Sequence, residues 1–122
     1  SVMKISKNFS RWEFECPDGC GRDTMDAATL GVLEKIREHF GEPVHVNSGH
    51  RCPEHNAEVG GAESSQHLYG RAADIRVENV NPDEVADFAE TVLGQSGGLG
   101  RYNTFTHVDT RTNGPARWDF RS

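Results

Sequence analysis

The most informative stretch of the chain is S-S-Q-H-L-Y-G-R-A-A-D-I, residues 64–75, because it leads a histidine through a turn into a strand, predicted to be buried, that carries an aspartate. His67 and Asp74 are separated by six residues, and Gly70 between them allows the backbone to reverse. Asp74 interrupts the apolar run A-A-D-I, where an unpaired buried carboxylate would be costly. A bound metal ion would remove that cost, so the stretch predicts a metal site.

A second histidine, His107, completes a possible set of metal ligands. It lies in F-T-H-V-D-T-R (105–111), whose β-branched residues predict a strand with an otherwise apolar inner face. Catalytic zinc sites use three protein ligands and leave the fourth tetrahedral position to water. Zinc lowers the pKa of that water from ~15.7 to about 7. His67, Asp74 and His107 therefore predict a metallohydrolase with one Zn²⁺ per chain.

Composition and charge disfavour several other classes of protein. The 122 residues suit one domain over 1–122, with an irregular N-terminal segment over 1–25. The net charge of −6 and the lack of a basic stripe argue against a nucleic-acid partner. No apolar run approaches the ~20 residues of a membrane span, and the first ten residues lack the apolar core of a signal peptide. We therefore expect a monomer with no membrane partner and no export signal in this chain.

The hydrophobic pattern predicts two main helices. Asp26 is typical of an N-cap for a helix that ends at Gly41, and Asn81 with Pro82 is typical of the start of a second helix that ends at Gly94. A short helix is predicted from Pro53 to Val59, before Gly60, and strands are predicted at 43–47, 72–77, 99–102 and 105–110. Helices and strands mix without regular alternation, so we expect an α+β fold with a small antiparallel sheet.

Aromatic and cysteine residues stand out in the N-terminal part. Phe9, Trp12 and Phe14 are expected to anchor this part to the body of the fold. Cys16, Cys20 and Cys52 are odd in number, so a complete disulfide framework is not expected. Cys16 and Cys20 either bridge, contribute to a second metal site or pack a loop, and the sequence leaves these alternatives open.

Three motifs in this order resemble the zinc D-alanyl-D-alanine carboxypeptidase family: S-G-H-R (48–51), S-x-H-x-x-G-x-A-x-D (65–74) and T-H-V-D-T-R (106–111). That family includes peptidoglycan endopeptidases and phage endolysins, and its fold is shared by the Hedgehog signalling domain. The resemblance covers roughly residues 25–111. It implies a Hedgehog/DD-peptidase-like fold, with His67, Asp74 and His107 as zinc ligands.

The same resemblance implies a substrate. It indicates peptidoglycan stem peptides or cross-links, whose D-alanine-containing bonds are cut either as a carboxypeptidase or as an endopeptidase. The protein would then act on the bacterial cell wall and would stay in the cytoplasm until lysis if a phage encodes it.

Two residues are predicted to bind substrate. The resemblance implies that Arg51 holds a carboxylate or carbonyl of the peptide, for which a planar guanidinium is suited. The alternative for Arg51 is a residue that stabilises its own turn. Ser65, two residues before His67, is expected to support the turn or orient a ligand through backbone bonding.

The general base is predicted less directly. Many relatives carry an acidic residue a few positions before the final histidine, but R-Y-N-T-F-T (101–106) has none. Asp109 shares a strand face with His107, so it is predicted as the base or as an acceptor that orients a histidine ring. His50 is the second candidate, with His55 and Glu54 as weaker ones. The missing acid supports an alternative hypothesis, a non-catalytic zinc-stabilised binding or structural module, for example in a phage particle.

Overall fold

A five-stranded sheet and three α-helices form the fold in the computed structural model, which describes residues 3–122. Residues 1 and 2, the start of the predicted N-terminal segment, lie outside the described residues. The helices are α1 (Ala27–Phe40), α2 (Pro53–Glu58) and α3 (Pro82–Leu93). The strands are β1 (Val44–Ser48), β2 (Ala72–Val77), β3 (Gly98–Arg101), β4 (Thr106–Asp109) and β5 (Ala116–Asp119). None of the described helices has the length and apolar character that crossing a bilayer requires.

The two long helices begin and end where the sequence predicts. The Asp26 carboxylate accepts a hydrogen bond from the backbone N–H of Ala28, and Gly41 ends α1 with a left-handed φ of 64°. At α3, the Asn81 side chain accepts from the backbone N–H of Asp83, and Gly94 follows the last turn. Both helices pack against each other and against the sheet, which confirms the α+β class with two main helices.

The sheet has the order β1-β2-β4-β3-β5 and differs from the prediction at its last strand. The first four strands pair antiparallel, but β5 pairs parallel to β3, so the sheet is mixed. No strand was predicted from the sequence after residue 110. Arg117 ties it to the end of α3, because its guanidinium donates to the carbonyl groups of Gly94, Ser96 and Gly97. Contacts of this kind, made across the fold, leave no local pattern in the sequence.

Most of the N-terminal segment lacks regular structure, as expected, but it is well anchored. Phe9 and Phe14 are fully buried in the main core, which confirms their predicted role. The prediction for Trp12 is wrong, since 66% of its surface is exposed. Trp12 and Phe14 both belong to a short 3-10 helix, Arg11–Phe14, whose tight turn buries the phenylalanine and leaves the tryptophan outside.

Leu33 provides a test of the core. It is fully buried on α1, so Leu33→Ala is expected to lower the free energy of unfolding by about 2–5 kcal/mol through lost burial and a cavity. Urea denaturation measures the change. Met3→Ala is the control, because Met3 is 59% exposed and should change stability by less than about 0.5 kcal/mol. Equal effects for both variants would contradict this description of the core.

Candidate metal centre and cleft

One row of residues across the sheet forms the base of the candidate site. Asp74 on β2 lies directly opposite His107 on β4. The same row continues to Ser48 on β1 and to Gly100 and Trp118 on β3 and β5. Residues opposite each other in neighbouring strands have side chains on the same face. The register therefore brings two predicted ligands, 33 residues apart in the chain, into contact.

The third predicted ligand, His67, comes from a short 3-10 helix, Gln66–Tyr69, directly before β2. Ser65 caps this helix, because its hydroxyl accepts a hydrogen bond from the backbone N–H of His67 at 3.2 Å. Gly70 ends it with a φ of 68°, and a Cβ at this position would collide with the carbonyl oxygen of Thr24. The turn predicted from Gly70 is therefore present, and Ser65 supports it.

The three side chains converge on one point. Asp74 Oδ1 lies 2.9 Å from His107 Nδ1 and 3.4 Å from His67 Nε2. His67 donates its Nδ1 proton to the carbonyl oxygen of Gly49 at 2.7 Å, so its Nε2 carries a lone pair. Within the described chain this buried Nε2 has no hydrogen-bond partner.

This arrangement fits a metal ion. A lone pair that faces a carboxylate oxygen without an intervening proton is unfavourable, and a cation between the two atoms reverses the sign of the interaction. Two imidazole nitrogens and one carboxylate oxygen are a donor set that zinc accepts. The atoms of His67, Asp74 and His107 all lie within 4.8 Å of one another, which is compatible with a single ion.

The charges at the site keep Asp74 ionised. Burial alone would raise the pKa of Asp74, but the hydrogen bond and positive charge from His107 hold this pKa well below its usual range. Burial would likewise lower the pKa of His107, yet the carboxylates of Asp109 and Asp74 raise it above its ordinary value. Both ring nitrogens of His107 face carboxylate oxygens, so a protonated His107 would compensate the charge of Asp74.

Asp109 lies behind His107 and faces away from Asp74. Its Oδ2 accepts a hydrogen bond from His107 Nε2 at 2.7 Å, on the opposite side of the ring from the Nδ1 atom that faces Asp74. Arg111 donates to the same fully buried carboxylate from Nε, Nη2 and its backbone N–H. This geometry favours the orienting role over the general-base role, because every contact holds the carboxylate in place behind the ring.

His50 is also buried, but it lies outside the cleft. Its Nδ1 is 3.0 Å from the carbonyl oxygen of Thr24, and its Nε2 is 3.2 Å from that of Leu68. These contacts join the N-terminal segment to the 3-10 helix that carries His67. The geometry therefore favours a structural role for His50. Glu54 is exposed on α2, and it does not line the cleft either.

Arg51 combines both of its predicted roles. Its Nε donates to Ser48 Oγ and its Nη1 to Asn56 Oδ1, each at 3.2 Å, which holds the turn together. Its Nη2 lies 3.4 Å from Asp74 Oδ2, the oxygen that the histidines do not approach. A guanidinium has five N–H donors, so these three contacts leave capacity for a ligand in the cleft that Arg51 lines.

The centre opens into a cleft of about 440 Å³ with an aromatic wall. Trp118 lies with its ring centroid 4.9 Å from that of His107, above Gly100, where a Cβ would collide with the indole. The indole Nε1 donates to the Tyr102 hydroxyl at 2.9 Å, and Tyr102 stacks on Phe105. Among the described residues that line the cleft, Asp74 is the only one with a carboxylate.

Neither this aromatic wall nor Arg111 was predicted from the sequence to be part of the site. The aromatic residues of the C-terminal tail were a usable signal, since large apolar side chains close to a ligand motif are typical of a binding site. Their orientation depends on the pairing of β5 with β3, which the sequence does not reveal.

Two comparisons with known proteins agree with this geometry. The sequence profile of the Peptidase M15 family matches residues 7–109, a range that contains all three converging side chains. The chain is also similar to the zinc D-Ala-D-Ala carboxypeptidase of Streptomyces albus G, with 35% identity over 86 residues, which is 66% of this chain and 33% of the relative. The chain thus spans about a third of that relative's length. On the profile match over most of its length, this chain belongs to the Peptidase M15 family.

Proposed function

We propose that this chain is a zinc-dependent peptidase that hydrolyses D-alanine-containing peptide bonds of bacterial peptidoglycan. The observation that carries the proposal is the buried Nε2 of His67, which faces Asp74 Oδ1 beside His107 Nδ1 at the base of an open cleft. The substrate class is supported by the name of the relative, a zinc D-Ala-D-Ala carboxypeptidase. Zinc held by His67, Asp74 and His107 would polarise a peptide carbonyl and lower the pKa of water to about 7.

Arginines in the cleft would orient the substrate. Arg51 and Arg111 both line it, and Asp74 is the one carboxylate among its described lining residues, so the cleft suits an anionic group. Arg51 would hold a peptide carboxylate or carbonyl through the N–H groups that its contacts leave available. Its contribution is orientation, which brings the scissile bond to the metal centre.

The remaining residues would position ligands and exclude water. Ser65 holds the backbone of His67, and Asp109 with Arg111 holds the ring of His107. Tyr102 accepts a hydrogen bond from Trp118, so its own hydroxyl proton can be donated to a substrate carbonyl. The aromatic wall would cover the apolar parts of a bound peptide.

The cleft also favours a second candidate function. Neither Asp109 nor His50 points into it, and no further carboxylate lines its described part. Without a side chain to accept the proton of water, the site would bind metal and peptide but turn over slowly. A zinc-stabilised binding module, as in a phage particle, is therefore the alternative that the experiments below must separate.

Digestion of purified peptidoglycan tests the function directly. We expect the zinc-loaded chain to release D-alanine or to cleave a cross-linked dimer, as measured by mass spectrometry of the wall fragments. A chelator should abolish the product, and added zinc should restore it. If the protein binds zinc in the cleft but leaves all fragments intact, the peptidase proposal fails and the binding module is supported.

Asp109→Asn separates positioning from base catalysis. The variant loses the charge that holds His107 and Arg111, so zinc affinity should fall roughly 10- to 100-fold. Peptidase activity should return at saturating zinc with an unchanged pH profile. Asp119→Asn is the matched control, because Asp119 is an exposed strand carboxylate that also pairs with an arginine, Arg121. Activity that stays absent at saturating zinc in a folded Asp109→Asn protein would instead indicate a general base.

His50→Gln provides the corresponding test for His50. Losing a buried contact between Thr24 and Leu68 should cost about 1–3 kcal/mol of unfolding free energy, measured by urea denaturation. The pH dependence of kcat/KM should stay the same. His45→Gln is the control, since His45 is partly exposed and bonded to Glu78, and it should change neither quantity. The loss of one limb of the pH profile in His50→Gln would contradict the structural role.

A further inference from the structure

The three cysteines of the chain lie together, away from the cleft. Cys16 and Cys20 flank a Pro-Asp-Gly turn in the N-terminal segment, where the backbone N–H of Gly19 bonds to the carbonyl oxygen of Cys16. Cys52 directly precedes α2. The fold brings the three Sγ atoms within 4.8 Å of one another, although Cys16 and Cys52 are 36 residues apart. None of the three lines the cleft.

The distance between the sulfurs matches metal coordination. Cys16 Sγ and Cys52 Sγ are 3.7 Å apart, and all three thiols are free. A disulfide needs about 2.05 Å. Two sulfurs on a tetrahedral zinc ion with bonds of about 2.3 Å are separated by about 3.8 Å. The observed spacing therefore fits a shared zinc ion and not a disulfide.

The spacing along the chain supports the same conclusion. Cys16 and Cys20 are separated by three residues, within the two to four that are typical of zinc-binding cysteine pairs. A packing role does not account for Cys20, because this side chain is exposed. An exposed thiol beside two buried ones closes the open side of the cluster, as a third ligand would.

A candidate fourth ligand, His55, lies beside Asp18, whose carboxylate contacts Cys52 Sγ. His55 lies on the first turn of α2, with two residues between it and Cys52, and its side chain is 17% exposed. Asp18 connects the two groups, because its Oδ2 is 3.4 Å from Cys52 Sγ and it also lies within 4.8 Å of His55. Structural zinc sites with three cysteines use histidine as the fourth ligand, in the Cys₃His class. We therefore assign the fourth position to His55 and not to Asp18.

We propose that Cys16, Cys20, Cys52 and His55 bind a structural zinc ion that is separate from the cleft. Binding converts each thiol to a thiolate and releases its proton to solvent, while His55 coordinates as neutral imidazole. All four positions are then occupied by protein, which leaves no place for a reacting water. The ion links the N-terminal segment to the residues that follow His50 and Arg51, so it braces the segment beside the cleft.

The metal content of the full chain tests this proposal. The protein is loaded with zinc in the presence of a reducing agent, and excess zinc is removed by gel filtration. Wild-type protein should then hold about two zinc ions per chain, and the Cys20→Ser variant should hold about one. Cys20 is exposed, so its serine variant should still fold. A wild-type chain that binds no more zinc than Cys20→Ser overturns the proposal, as does a Cys16–Cys52 disulfide in the zinc-loaded protein.

Cobalt substitution tests the ligand type without relying on zinc counts. Thiolate ligands give Co²⁺ an intense charge-transfer absorption that a site of two histidines and one aspartate lacks. We expect this band in wild-type protein and in His67→Ala, and a clearly weaker band in Cys20→Ser, which keeps only two of the three thiolates. A cobalt-loaded wild-type chain without the band overturns the proposal. Failure of the cleft site alone would leave the band intact, so the two proposals fail separately.

Two further variants test the fourth ligand. His55→Ala should shift the visible cobalt absorption and weaken cobalt binding, whereas Asp18→Asn should leave both nearly unchanged. His45→Ala serves as the matched control, because His45 lies on β1 and bonds to Glu78. The reverse result, with an effect only in Asp18→Asn, would overturn the assignment of His55.

Discussion

Asp74 places a charged carboxylate in the second strand of a five-stranded sheet, with only 13% of its side chain exposed. Such a charge is tolerated only when positive or donating groups surround it. Two different segments supply them: the neighbouring strand with His107 and the turn with Arg51. Much of the fold therefore converges on one carboxylate, and a zinc ion between Asp74 and the buried Nε2 of His67 would complete the compensation.

The groups around this carboxylate are themselves held by a further set of contacts. The carbonyl oxygen of Gly49 determines which nitrogen of His67 carries the proton. Asp109, itself paired with Arg111, does the same for His107. Such outer contacts orient ligands and tune metal affinity. Glycine makes room for them, since a Cβ at position 98 would collide with the Asp109 carboxylate.

The irregular N-terminal segment contributes to the site although it supplies no ligand to the cleft. His50 contacts the carbonyl oxygen of Thr24, and the backbone N–H of His50 donates to the carbonyl oxygen of Phe14. Cys16 and Cys52 meet a few residues further on. The segment is thus attached to the connection between β1 and α2 at several points. Because Arg51 lies in that connection, the order of the segment and the position of the arginine are coupled.

The local features of this protein could be predicted from its sequence. Helix ends follow from Asp26, Asn81 and the glycines after each helix, because capping depends on residues within one turn. The convergence of His67, Asp74 and His107 was predictable, because a carboxylate inside an apolar strand requires a partner. The family followed from the spacing of three short motifs and is confirmed by the profile match.

The roles of the other side chains depend on contacts between distant parts of the chain, which the sequence does not reveal. Asp109 shares a strand face with His107, as expected, but Arg111 holds it behind the ring, where it orients the imidazole. The aromatic wall exists because β5 returns parallel to β3 and places Trp118 over Gly100. Cys52 meets Cys16 through chain closure over 36 residues. Contacts of this kind depend on packing between distant segments of the chain. They cannot be predicted from sequence periodicity, because periodicity depends only on residues that are close together in the sequence.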